Sequence, residues 1–230
     1  DDTASDPTAP PVETTELDGA PTRWTLRLGT LALAIVIIAG PVAIAARGNP
    51  DLALLAAGLI GLACLALYAR AVVQLYRKRV RRVIELNSRM AGIALAHLAA
   101  ATLLTIALAA LGLFGRYGGA LVFLVCFGWL SGLGLAKLYK IVAFVTWLEC
   151  YGPVLGKTPT PRVQDLVLES RAIKWFWLYF IAVDVATRCL LLEAPLVFRA
   201  AAAAMLLASA GIALELVRTR RLVNVKAALR

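Results

Sequence analysis

Six stretches of about 20 residues, nearly free of charge, constrain this chain more than any other feature. A hydrocarbon core about 30 Å thick is crossed by about 20 helical residues, and a helix satisfies every backbone N–H and C=O internally. In chain order the spans are 28–46, 52–70, 91–114, 120–136, 175–192 and 195–217. Composition points the same way: 61% of the residues are hydrophobic and 17% charged, against about 45–50% and 25% in soluble domains. The expected fold is all-α, a polytopic transmembrane helix bundle over 27–230. Pro41 predicts a kink in the first span. Residues 137–156, with Lys137, Lys140 and Glu149, read as the fourth helix continuing to about residue 150 in the headgroup region, or as an interfacial helix. A separate seventh span at 141–156 is the alternative.

Residues 1–26 are different in kind. They hold six acids against one base and four of the ten prolines, with almost nothing apolar. Such a segment cannot bury enough surface to fold alone and reads as a disordered-like acidic tail. It lacks the basic start and apolar core of a signal peptide.

The 24 Lys and Arg outnumber the 14 Asp and Glu, for a net charge of +10. They cluster before the first span, between 70 and 89, between 137 and 174, and after 217; only Arg47, Arg116, Arg188 and Arg199 fall elsewhere. By the positive-inside rule both termini are expected in the cytoplasm, with the body in a bacterial inner membrane. The charge then needs no nucleic acid to explain it. Its densest part runs from Arg70 to Arg89. Val73, Tyr76, Val80, Val83 and Ile84 recur at helical spacing, and Arg77, Lys78, Arg81 and Arg82 fill the other faces. That pattern predicts an amphipathic extension of the second helix, anchored on anionic lipid headgroups at about 1 kcal/mol per base. Docking of an acidic partner is the competing use.

Ligand sets are sparse. The four cysteines show no Cys-x-x-Cys spacing, and the single histidine, His97, cannot build a bis-histidine heme or a multi-histidine metal centre. No cofactor is expected. His97 reads as a hydrogen-bonded interior histidine, with a single axial ligand to a heme or chlorophyll shared with another chain as the alternative. Gly152 to Thr158 imitates a phosphate loop but has three residues between its glycines where the motif needs four.

Ionisable residues inside spans are functional candidates because they are costly there. Asp184 and Arg188, four apart, are expected to pair on one helix face. Glu193 and Arg199 could form a second pair, and Glu215 could reach water near the cytoplasmic end. Glu149, Asp165 and Glu169 are too scattered to suggest an enzyme. Close helix packing is expected at Gly128 and Gly132, at Ala57 and Gly61, and at Ala200 and Ala204, through small residues four apart.

Gly128-Trp129, Tyr139-Lys140-Ile141-Val142, Phe144, Trp147 and Tyr151-Gly152 form a pattern covering about 25 residues. It resembles small bacterial membrane proteins related to the catalytic subunit of heme-copper oxidases and nitric oxide reductases. The chain departs from that pattern in having no histidine before Gly128-Trp129 and Ala143 where a proline is expected. The resemblance implies kinship with respiratory membranes and carries over no heme binding and no catalytic residue.

The function expected is therefore a non-catalytic accessory subunit that scaffolds a larger respiratory or energy-converting complex. Its partners would be other membrane subunits and anionic lipid headgroups. The alternative is a small transporter or permease using Asp184 and Arg188.

Overall fold

The structure is a computed structural model and describes residues 19–46, 48–77, 85–155, 157 and 159–225. Most of the acidic tail lies outside these residues, as do Lys78, Arg81 and Arg82. Among the described residues there are helices and no strands. Helix α1 (Gly19–Ala34) passes through a π turn (Ile35–Ala39) into α2 (Gly40–Ala45), followed by α3 (Asp51–Arg77) and α4 (Leu86–Ala110). Helix α5 (Phe114–Phe123) runs through a π segment (Leu124–Ser131) into α6 (Gly132–Tyr151). Two long helices, α7 (Glu169–Leu191) and α8 (Pro195–Arg220), complete the bundle.

Local chemistry explains several of these boundaries. Pro41 has no N–H to offer the preceding turn, and a π turn, Ile35–Ala39, lies just before it. Helix α4 starts five residues earlier than the apolar run, at Leu86, because Glu169 supplies a cap from a distance: its Oε1 accepts the Leu86 N–H at 3.1 Å. Helix α4 ends at Gly112, in the left-handed region at φ 65°, with Leu113 N–H donating to Leu108 C=O at 2.9 Å. Helix α7 ends the same way, with Ala194 donating to Cys189, yet its left-handed residue is Glu193, at φ 53°.

Five helices are long and apolar enough to cross a membrane. One of them, Phe114–Val154, is 41 residues long, or about 60 Å, twice the hydrocarbon thickness. Residues 141–154 thus continue this same helical run. Helix α7 has the length for a sixth crossing, at 23 residues, but carries Glu169, Arg171, Lys174, Asp184 and Arg188. Sequential helices pack as neighbours, α1 on α3 and α3 on α4, while α7 and α8 form the most extensive pair. Phe176, Phe180, Val183, Met90, Ala94 and Ile212 anchor the core between α4, α6, α7 and α8. The hairpin of α1 and α3 is peripheral: 6% of the α1 span is buried, against 33% for the α5–α6 and α8 spans.

Candidate functional site

The glycine pair in the π segment and α6 builds the floor of the site. A Cβ on Gly128 would sit 2.8 Å from His97 Cδ2, and one on Gly132 would sit 2.6 Å from the Phe180 ring. Without those carbons, His97 from α4 and Phe180 from α7 meet over the glycine surface as a stacked pair, centroids 5.2 Å apart. The small residues therefore serve contacts within this chain. Ala57 and Gly61 behave alike on α3, with Ala57 buried and Gly61 facing Thr102 of α4. Two tighter contacts escaped the reading of the sequence: Gly58 against Ile106 and Gly211 against the Trp175 ring. At Gly211 the only earlier sign is its place in a row of small residues on α8.

His97 is buried, and its two ring nitrogens face different groups. Nδ1 lies 2.9 Å from the Ile93 carbonyl one turn earlier. Nε2 lies 3.2 Å from Asp184 Oδ1, at ion-pair distance but off the hydrogen-bond direction. The side chains differ sharply in exposure, 8% for His97 and 49% for Asp184. This corrects one expectation. Asp184 faces His97 on another helix and makes no ion pair with Arg188. Both ring nitrogens face groups of this chain, so a heme or chlorophyll could use His97 as an axial ligand only by displacing one of them. Trp177, Ile181, Asp184 and Arg188 together form the exposed face of α7.

The other intramembrane charges are also partnered differently from their sequence spacing. Glu193 pairs with Arg116, at 2.8 Å from Nη2, and not with Arg199. Glu215 does not open to water; it is 2% exposed. Both its oxygens accept from Arg171 Nε, at 2.7 and 2.9 Å, and Arg218 donates to it at 2.7 Å. Arg171 also donates to Asn224, whose amide donates to the Leu166 carbonyl. Arg171 precedes the apolar part of α7, and its hydrogen bond to Glu215 holds the guanidinium above its ordinary pKa. This network ties α7, α8 and the loop before α7 at the basic end of the bundle.

Beside it lies a cavity of about 360 Å³ lined by α4, α6 and the 160–168 loop. Glu85 organises it, accepting from Lys140 Nζ at 2.7 Å and Gln164 Nε2 at 3.0 Å. Glu149, Asp165 and Glu169 go to three separate places. Glu149 pairs with Arg220, Asp165 accepts the Arg162 N–H, and Glu169 caps α4. Of the basic stretch, Arg77 is exposed at the end of α3; Lys78, Arg81 and Arg82 lie outside the described residues. Among the described residues no group of three His, Cys, Asp or Glu converges on a metal position.

Comparison with protein families, characterised proteins and solved structures finds no match to this chain. The membrane-embedded helical bundle and the geometry at its centre are therefore what any functional reading stands on.

Proposed function

We propose that the protein is a non-catalytic subunit that scaffolds a larger respiratory or energy-converting complex in a bacterial inner membrane, with both termini cytoplasmic. The observation that carries this reading is Asp184, a carboxylic acid half-exposed on the outer face of α7 among Trp177, Ile181 and Arg188. Acyl chains offer such a polar group no hydrogen-bond partner, which is costly in an apolar medium whichever protonation state it takes. A helix of another subunit laid against that face removes the cost. The peripheral α1–α3 hairpin, exposing Leu33, Ile37, Ile38 and Leu59, adds apolar surface for the same purpose. The resemblance of 128–152 to proteins of respiratory membranes supports the choice of complex. Anionic headgroups would hold the basic end.

Purification from native membranes in mild detergent tests the reading. Defined subunits should co-migrate with the full-length chain, and Asp184→Leu should cut their recovery at least tenfold. Co-purification that Asp184→Leu leaves intact defeats it. The His97–Asp184 contact favours a second reading, a small transporter. Solute flux by the chain alone in liposomes, abolished by Asp184→Asn, would put that reading in first place.

A further inference from the structure

We infer that His97 and Asp184 together form an intramembrane proton-binding site, which holds one proton more than a neutral imidazole beside a carboxylate. This goes beyond the assembly role and does not depend on it. The argument is a count of protons and lone pairs. A neutral imidazole donates from one nitrogen and presents a lone pair at the other. If Nδ1 carries the proton, it donates to the Ile93 carbonyl 2.9 Å away, and the Nε2 lone pair is left 3.2 Å from a carboxylate oxygen. If Nε2 carries it, two lone pairs oppose each other at Nδ1. Either neutral form beside an ionised Asp184 leaves a repulsive contact in an apolar setting. One added proton removes the conflict. The ring becomes an imidazolium opposite a carboxylate, or the carboxyl becomes the donor, and in both cases the pair is electrically neutral, as its surroundings require.

The neighbours leave this proton to the pair. On α7, Arg188 is a full turn farther along, and Tyr179 donates to the Phe127 carbonyl. On the π segment, Gly128 and Leu124 face the ring, and Cys126 is exposed. On α3, Cys64 donates to Thr25. Nε2 is enclosed, while the Asp184 carboxyl is half-exposed. Loss of the proton takes the pair from net charge zero to −1.

One histidine in the whole chain makes the test unambiguous. Nitrogen NMR of the full-length protein, labelled at histidine and held in lipid nanodiscs, reads both ring nitrogens directly. At neutral pH the expected result is protons on both. A ring protonated at Nδ1 together with a carboxylic acid carbonyl band in the infrared gives the same count and supports the site equally. Asp184→Asn should abolish whichever signature is found, with at least tenfold more acid needed to protonate both nitrogens, and Asp184→Glu should restore it. A neutral ring beside an ionised Asp184 at neutral pH overturns the inference. So does an Asp184→Asn variant with an unmoved spectrum. If that variant fails to fold, the wild-type spectra decide alone.

Discussion

Glu215 and Asp184 are both carboxylic acids in apolar helices, yet the bundle treats them in opposite ways. Glu215 is buried and gripped by two guanidiniums, one of them fixed in turn by Asn224. Three hydrogen bonds reach its two oxygens, and the group stays where it is put. Asp184 has one buried imidazole on its inner side and, among the described residues, an outer side left half-exposed. The first arrangement closes a structure; the second leaves a charge to be completed from outside, by a proton, a partner or both. Burial alone does not distinguish a structural acid from a functional one. Completeness of the partner set does.

Substitutions can break or sharpen that contrast. The largest effect should come from Gly128→Leu, which drives a side chain into the His97 ring over the glycine floor. Overpacking of this kind costs about 3 kcal/mol, readable by unfolding in mixed micelles, and the histidine signal should shift with it. Unchanged stability would mean that the floor is not shared in this way. Glu215→Ala should follow, at about 2 kcal/mol. That is below the range for a fully buried pair, because Arg171 and Arg218 keep 35% and 36% of their surface exposed. Equal loss from Asp184→Ala would erase the distinction between the two acids.

A third acid calibrates the scale. Glu193 occupies a left-handed position at φ 53° that favours glycine, so Glu193→Gly should gain about 1 kcal/mol although it forfeits the exposed pair with Arg116. A loss in thermal midpoint would show that the pair outweighs the backbone. Smallest of all should be Asp184→Ala on the isolated chain in detergent, under about 1 kcal/mol. Its effect belongs to proton binding and to co-purification instead.

How much of this was legible beforehand depends on the range over which a residue acts. The spans could be read because a membrane crossing is a property of about 20 consecutive residues. The helices found are longer than the apolar runs: α1 begins at Gly19, within the segment read as a tail, and α3 extends to Arg77. Beyond the π segment, α6 runs on to Tyr151. Gly128 and Gly132 stood out by spacing, and close packing does occur there. Charge pairing was misread for one reason throughout. Spacing along a helix offers Arg188 to Asp184 and Arg199 to Glu193, whereas the bundle brings His97 and Arg116, more than 70 residues away, to the same depth. Glu85 and Arg171 were overlooked because their partners lie on other elements.

Taken alone, the amino-acid order settled that this chain is an all-helical multi-pass membrane bundle and where along it the basic residues cluster. Those are local consequences of hydropathy and charge, and no distant residue is needed to produce them. Which acid is sealed and which stays open was decided only when α4, α6, α7 and α8 packed together. A side chain's partners are set by the helices that surround it, and in a bundle most of those neighbours are remote in the chain.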